Sequence, residues 1–277
     1  MAYVIAVDSG HGMETAGKRT PALPEDLIIN GKVVRKKGEV ILEKEWNRPV
    51  ADFLLEELNR CGFKTVDCSP GTADIALADR VKIACDAKAD LFVSKHFNAA
   101  NGNWWTPGYT VAFVCPANTA TYAESMKAAQ LVQTQIAAAN GIKNHGTQSD
   151  KAYLGINLHV LNNAKMPALL TESGFMDVWE HAKRMLNPAA QLADAQATCR
   201  GICTYFNVKY VQPATPEQSP PPQYSNDIRR YYAVQVGSYT LLANAQAQQK
   251  RIGGYVVTKD VNLKTGEVTA FYDGIKS

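Results

Sequence analysis

Two histidines and one glutamate in this chain each follow a short apolar run. The runs and residues are Tyr3–Val7 with His11, Leu91–Val93 with His96, and Ala168–Leu170 with Glu172. Runs rich in Val, Ile and Leu predict buried strands of a parallel sheet, and binding sites in such sheets lie at the carboxyl ends of the strands. The three side chains should therefore meet at one edge, which predicts a metal centre with its acid/base partner.

A metal centre of this kind needs one more ligand, because catalytic zinc usually has three protein ligands and an open position for water. Glu43, at the start of a helix predicted over Leu42–Arg60, is the best candidate, and Glu45 is the competitor on a different face of that helix. A carboxylate in a first helical turn also stabilises the helix dipole. On periodicity alone we favour this structural role for each glutamate separately.

The position of Glu172 at a strand end suggests a different role from that of the ligands. A carboxylate there must be solvated, paired or catalytic, and Gly174 follows closely. In zinc hydrolases, a glutamate that is not a ligand takes a proton from the attacking water and returns it to the leaving group. Glu172 is therefore our candidate for the proton-transfer residue.

Other residue types with chemical potential have weaker settings. The tryptophans Trp104 and Trp105 follow His96 and either contact substrate or anchor their loop, and the two interpretations are about equally supported. Three further histidines lack a strand-end setting and are interpreted as surface or hydrogen-bonded core residues: His145, His159 and His181. Cys199 and Cys203 have a helical i, i+4 spacing that could share a metal, but we favour buried small apolar residues.

The elements that must position these residues alternate between strands and helices, which predicts an α/β fold with a twisted, mostly parallel sheet flanked by helices. The predicted helices cover Leu42–Arg60, Leu77–Ala87, Thr121–Ala139 and Pro188–Tyr205. The predicted strands besides the three runs are Phe63–Val66 and Tyr109–Cys115. We also expect an enlarged loop over Gly17–Gly38, near the site.

Five of the 13 prolines fall between Pro213 and Pro222, which predicts a stiff linker over residues 211–228. It separates a domain of residues 1–210 from a small α+β domain of residues 229–277, which has seven Lys or Arg against three Asp or Glu. In the small domain we predict a strand over Tyr231–Tyr239, a helix over Asn244–Ile252, and strands at Tyr255–Val257 and Val268–Tyr272.

The net charge of +3 is too small to indicate a nucleic-acid-binding protein, although it fits mild attraction to an acidic polymer such as a bacterial wall. No segment approaches the roughly 18 apolar residues of a membrane span. The N-terminus has neither the basic region nor the apolar core of a signal peptide. We therefore expect synthesis in the cytoplasm, where the chain stays unless another system releases it.

Four segments, taken in order, resemble the zinc-dependent N-acetylmuramoyl-L-alanine amidases of bacterial autolysins and phage endolysins. The segments are Val7–Gly12, Glu43–Asn47, Ala89–Ala99 and Met166–Phe175, and the resemblance covers roughly residues 1–207. It implies Zn²⁺ ligands at His11, Glu43 and His96, with Glu172 as the catalytic carboxylate. It also implies Glu43 rather than Glu45 as the ligand, because the glutamate ligand of the family is the first residue of the motif that matches Glu43–Asn47.

The resemblance also implies the reaction and the substrate. The expected activity is hydrolysis of the bond between N-acetylmuramic acid and L-alanine in peptidoglycan, followed by wall lysis. A zinc carboxypeptidase-like peptidoglycan peptidase and a non-catalytic wall-binding protein are the alternatives. Two departures from the family pattern, the long loop at Gly17–Gly38 and Phe97 in place of a small residue, could reshape substrate preference.

The C-terminal segment Tyr232–Tyr239 resembles the opening half of a SPOR-type peptidoglycan-binding domain. Only one of the two halves usual in that family is present, and one such unit does not easily bury both faces of its sheet. We therefore expect either a homodimer that completes the sheet or a small domain docked on the large one. Release to the wall would follow a phage holin or lysis of a sporulating mother cell.

Overall fold

The computed structural model describes residues 2–213, 257–261 and 268–272 of the 277-residue chain. The chain divides into two compact units, Met1–Gln212 and Pro213–Ser277. No helix among the described residues is long and apolar enough to cross a membrane.

The first unit contains eight strands and seven helices among its described residues. In chain order they are β1 (Val4–Ser9), β2 (Leu27–Ile29), β3 (Lys32–Arg35), α1 (Lys44–Arg60), β4 (Lys64–Asp67), α2 (Leu77–Asp86), β5 (Leu91–Asn98), β6 (Thr110–Val114), α3 (Tyr122–Asn140), β7 (Asn144–Ser149), α4 (Asp150–Leu154), α5 (His159–Asn163), β8 (Ala168–Phe175), α6 (Trp179–Met185) and α7 (Pro188–Tyr205). The main sheet has six strands in the order β4-β1-β5-β8-β6-β7. Four neighbouring pairs are parallel and the β6–β8 pair is antiparallel, so the predicted α/β fold with a mostly parallel sheet is confirmed.

The central strands have apolar residues on both faces because helices cover both faces of the sheet. In β5, Leu91 and Val93 belong to the cluster that contains α1, α3 and α7, whereas Phe92 belongs to the cluster that contains α2 and α5. The same alternation continues to Lys95, which extends toward α7 and pairs with Asp194 at 2.9 Å. Successive residues of a strand point to opposite faces, so His96 points to the opposite face of the sheet from Lys95.

Two strands extend further than their apolar runs indicate. His96 and Glu172 follow their apolar runs but still lie within the strands, because β5 continues to Asn98 and β8 continues to Phe175. The two strands pair side by side through this region, with His96 opposite Glu172 and an irregularity between His96 and Asn98. Their mutual hydrogen bonding extends both strands into the site, although the residues there are polar.

The loop predicted over Gly17–Gly38 contains the hairpin of β2 and β3. It is closed at its base by backbone hydrogen bonds from Thr20 to Ile41 (2.9 Å) and from Leu23 to Glu39 (2.8 Å). The enlarged loop is therefore joined to the rest of the first unit by regular backbone hydrogen bonds.

The second unit is described only by the antiparallel strands β9 (Val257–Val261) and β10 (Val268–Tyr272). The second strand has the predicted bounds, and the first begins at the last residue of the predicted strand Tyr255–Val257. The predicted strand over Tyr231–Tyr239, the helix over Asn244–Ile252 and most of the linker lie outside the described residues.

Candidate metal centre

His11 lies two residues beyond β1 in a left-handed backbone conformation (φ 57°). Gly10 and Gly12 flank this residue, but the positive φ belongs to the histidine itself. The glycines are needed for space instead. A Cβ atom on Gly10 would lie 2.1 Å from Cε1 of His96, and one on Gly12 would lie 2.3 Å from the backbone nitrogen of Asp74.

We expect Gly10→Ala to lower the zinc affinity of this site by roughly 10- to 100-fold, the range seen when the partners that orient a metal ligand are lost. The added methyl group would overlap the His96 ring and displace it. Zinc titration of the purified variant in competition with a chelator measures the loss. An affinity equal to that of the unmodified chain would contradict this packing argument.

Glu43 immediately precedes α1 and connects the two histidines. Its Oε2 lies 3.3 Å from Nε2 of His11, and its Oε1 lies 3.0 Å from Nδ1 of His96. Asn47, one turn later, donates to the same Oε1 at 3.0 Å, and the backbone N–H of Phe97 donates to it at 3.1 Å. The carboxylate is only 2% exposed, so these contacts fix its orientation.

The competing glutamate has a structural role. Glu45 Oε2 accepts a hydrogen bond from the backbone N–H of Leu42 at 2.8 Å, and Oε1 pairs with Arg35. These contacts hold the start of α1 and the β2–β3 hairpin together. Glu45 is not part of the cluster formed by His11, Glu43 and His96.

The side chains of these three residues offer one ligand atom each, and all three atoms lie within 4.8 Å of one another. Two imidazoles and one carboxylate are a donor set used by catalytic zinc. The imidazole rings stand edge to face, with their centres 4.8 Å apart, so both can direct a nitrogen to a common point beside Glu43. The chemistry of the residues therefore fits a zinc ion.

The electrostatic environment favours the protonation states that metal binding requires. Burial, together with the neighbouring His96, lowers the pKa of His11 to about 4. Burial alone would raise the pKa of the Glu43 carboxyl, but the hydrogen bond with His96 and the charges of both histidines outweigh it and lower that pKa to about 2. At neutral pH the site thus offers a neutral imidazole and a carboxylate.

Glu172 lies beside this cluster without belonging to it. It faces His96 across the β5–β8 pair and lines the same pocket as all three cluster residues. Its Oε2 is buried and has no hydrogen-bond partner among the described residues. Burial, reinforced by the charge of Glu43, raises the pKa of Glu172 well above its usual value. An unpaired buried carboxylate in a pocket is suited to proton transfer.

A buried network holds the turn that carries His11. Arg80, from α2, pairs with Asp8 at 2.9 Å and donates to the carbonyl oxygen of Ser9 at 3.0 Å. Lys44 donates to the same carbonyl at 2.9 Å, and Asn47 donates to that of Gly10 at 3.1 Å. Sequence reasoning gave these four side chains no role, although Asn47 follows Glu43 by the four residues that place two side chains on one helix face.

The enlarged loop contributes one wall of the pocket. Gly17 and Lys18 line it, and the carbonyl oxygen of Lys18 accepts a hydrogen bond from the backbone N–H of Glu43 at 2.9 Å. Two tryptophans fasten the loop from outside: Trp104 donates to the carbonyl oxygen of Ala22 at 3.0 Å, and Trp179 donates to the Glu25 carboxylate at 2.9 Å. The sequence gave no indication that Lys18 would line the pocket, because it lies in a polar segment without a recognisable motif.

The remaining candidates have structural surroundings. Trp105 donates to Asp177 at 2.8 Å, and the contacts of both Trp104 and Trp105 anchor their loops. His181 is buried, and its Nδ1 accepts from the backbone N–H of Phe175 at 3.2 Å. Phe97 is buried against Trp46, with ring centres 5.0 Å apart. His145 stacks on Tyr109, and His159 begins α5 and is exposed, away from the cluster.

Comparison with known proteins adds a family to this geometry. A family model described as N-acetylmuramoyl-L-alanine amidase matches residues 5–204, which include all four candidate site residues and all of the main sheet except Val4. The chain is 28% identical over 202 residues to the N-acetylmuramoyl-L-alanine amidase LytC of Bacillus subtilis, covering 73% of this chain and 35% of LytC. It is 29% identical over 212 residues to the endolysin of Bacillus phage SPP1, covering 76% and 68% of the two chains.

A solved structure shares the fold of the first unit. The catalytic domain of CwlV, an N-acetylmuramoyl-L-alanine amidase from Bacillus (Paenibacillus) polymyxa, aligns with a TM-score of 0.58 at 24% identity, covering 75% of this chain and 99% of that domain. The chain thus spans about a third of the length of LytC but contains a region equivalent to nearly all of this catalytic domain.

Proposed function

Because this chain belongs to the N-acetylmuramoyl-L-alanine amidase family, we propose that it hydrolyses the amide bond between N-acetylmuramic acid and L-alanine in bacterial peptidoglycan. The observation that carries this proposal is the cluster of His11, Glu43 and His96 with the unpaired carboxylate of Glu172 beside it. The matched residues 5–204 include all four.

In this proposal His11, Glu43 and His96 hold a zinc ion. When bound, zinc lowers the pKa of a coordinated water to about 7 and polarises a carbonyl group. Asn47 and the backbone N–H of Phe97 keep the Glu43 carboxylate turned toward the two imidazoles. The network of Arg80 and Lys44 keeps His11 in place through the backbone that precedes it.

The proton is moved by Glu172. Its free Oε2 accepts a proton from the water that attacks the lactyl amide carbon and later donates it to the nitrogen of L-alanine, so that the stem peptide leaves. The raised pKa of Glu172, caused by burial, makes its carboxylate a stronger base than an exposed one. The hydrogen-bonded pairing of β5 and β8 keeps this carboxylate next to the ligand His96.

Digestion of purified bacterial wall tests the reaction. We expect new amino groups of L-alanine without new reducing sugar termini, and loss of this release in the presence of a metal chelator. Release of single residues from the carboxyl end of the stem peptide would favour a peptidase, and co-sedimentation with the wall without any release would favour a binding protein. Reducing termini without free L-alanine amino groups would refute the amidase.

Lys18 is proposed to pair with a free carboxylate of the stem peptide. It lines the pocket, and its charge acts on both His11 and Glu172. We expect Lys18→Ala to raise KM about fivefold for muropeptides with free carboxylates, consistent with roughly 1 kcal/mol for an exposed ion pair. The effect should shrink on amidated muropeptides and at high salt.

Lys32→Ala is the matched control, since Lys32 is an exposed lysine of the same loop that does not line the pocket. Steady-state kinetics on the two muropeptides, with each variant, measure the effect. Equal KM changes on free and amidated substrates would contradict an ion pair between Lys18 and a substrate carboxylate.

We propose the domain boundaries of the sequence for the whole chain: a catalytic domain of residues 1–210, a linker of residues 211–228, and a SPOR-like domain of residues 229–277. The basic composition of the last domain supports wall binding or homodimerisation. Sedimentation of the intact chain separates these roles, because a monomer at micromolar concentration would exclude the homodimer.

The route to the wall is proposed from the relatives. The relatives include the SPP1 endolysin and a sporulation-specific amidase of Bacillus subtilis, so the protein made in the bacterial cytoplasm is proposed to reach the wall after holin-mediated release or lysis of a sporulating mother cell. Expression of the chain inside a susceptible bacterium, with and without a membrane-permeabilising agent, tests this route. Lysis only after permeabilisation is expected, and lysis without it would overturn the proposed dependence on release.

A further inference from the structure

A second group of metal-binding side chains lies at the opposite end of α1 from Glu43. Cys61 follows the last residue of α1, and Cys199 and Cys203 are one turn apart on α7. All three side chains are buried, with at most 7% of each residue exposed. Their sulfur atoms lie within 4.8 Å of one another, so the packing of α1 on α7 adds a third thiol to the i, i+4 pair visible in the sequence.

The separation of the sulfur atoms matches a metal thiolate better than a disulfide. The Sγ atoms of Cys61 and Cys199 are 3.7 Å apart. Two thiolates on a tetrahedral zinc ion, with Zn–S bonds of about 2.3 Å, stand about 3.8 Å apart. A disulfide would require them to approach to about 2.0 Å. A cation could therefore bind here with little movement of either helix.

A backbone donor and two arginines adjoin this cluster. The backbone N–H of Val211 donates to Sγ of Cys61 at 3.4 Å, as donors that orient metal ligands do. Arg60 and Arg200, which adjoin Cys61 and Cys199 in the chain, each place a guanidinium group against the ring of Tyr210.

We propose that Cys61, Cys199 and Cys203 bind a thiophilic d¹⁰ cation such as zinc(II), independently of the centre at His11. Each thiol loses its proton to solvent as its sulfur–metal bond forms, and no oxidant or reductant is needed. The bound cation would tie the end of α1 to α7 and to the segment that contains Val211. Because the ligands come from separate parts of the chain, binding would stabilise the folded first unit.

The metal content of the full chain, purified under reducing conditions and saturated with zinc, tests this site. We expect two zinc ions per unmodified chain, one in His96→Ala, one in Cys199→Ala, and none in the double variant. Replacement of zinc by cobalt(II) should give a sulfur-to-metal charge-transfer absorption in the unmodified chain and in His96→Ala. Cys199→Ala should lack this absorption.

Cys85→Ala is the control, because Cys85 lies on α2 outside the cluster, and it should retain two zinc ions and the cobalt absorption. If Cys199→Ala does not fold, Cys203→Ser decides instead, and it should bind one zinc ion and lack the cobalt absorption. One zinc ion per chain, lost in His96→Ala, would overturn the proposal. A disulfide between Cys61 and Cys199 would also overturn it.

The result is independent of the proposed amidase activity. A chain that fails to cleave peptidoglycan could still bind the second zinc ion, and an active amidase could lack it. The number of metal ions and the cobalt absorption report on the thiol cluster alone, because the ligand set at His11 contains no sulfur.

Discussion

Replacement of Glu172 by glutamine is expected to lower kcat on soluble muropeptides by roughly 100- to 10,000-fold, the usual contribution of a general acid–base group. Glutamine has nearly the same volume and can occupy the same position in β8. It cannot accept a proton from water and return it to the leaving nitrogen. Zinc content should remain that of the unmodified chain, because Glu172 is not a member of the ligand cluster.

Glu180→Gln is the matched control, since Glu180 is an exposed glutamate of α6 that pairs with Lys183. Its kcat should equal that of the unmodified chain. The role proposed for Glu172 would be refuted by a Glu172→Gln variant that binds zinc and retains full kcat. Loss of zinc from that variant would instead indicate that Glu172 holds the metal.

Replacement of His96 by alanine is expected to abolish zinc binding at the cluster and to reduce activity to the uncatalysed background. The remaining His11 and Glu43 would give only two protein ligands, one fewer than catalytic zinc sites usually have. Glu43 would also lose its partner at 3.0 Å while still accepting from Asn47. Calorimetric zinc titration and muropeptide hydrolysis, with and without added zinc, measure the two losses.

The control for this variant is His159→Ala, which removes an exposed imidazole at the start of α5. It should bind zinc and hydrolyse muropeptides as the unmodified chain does. A His96→Ala variant with unchanged zinc affinity at the His11 cluster would show that His96 is not a ligand. Removal of zinc from the unmodified chain with a chelator should reproduce the loss of activity, and added zinc should restore it.

The elements that the sequence predicts well are those with strong apolar patterns. The central strands and the four long helices carry buried apolar residues at regular spacing, such as Trp46, Val50 and Leu54 on α1. The missed strand β7 has the sequence Asn-His-Gly-Thr-Gln-Ser and lies at the edge of the sheet. An edge strand pairs on one side only and need not be apolar, so it leaves no such pattern.

Some residues of the site could be identified from the sequence pattern, and one could not. His11, His96 and Glu172 follow apolar runs, so their proximity could be inferred from the parallel sheet. Glu43 and Glu45 are two residues apart at the same helix start, and periodicity alone could not choose between them. The contacts that separate them, with His96 for one and with Leu42 for the other, depend on tertiary packing.

The side-by-side placement of His96 and Glu172 on hydrogen-bonded strands has a consequence for how such a protein would meet a solid polymer. Neighbouring strands are held about 4.8 Å apart by the sheet itself, so these two groups are in position before any substrate arrives. A cross-linked wall is too large to be enclosed by a closing lid. A pocket whose groups are already in position can act on any peptidoglycan chain that reaches it, without first closing around the substrate.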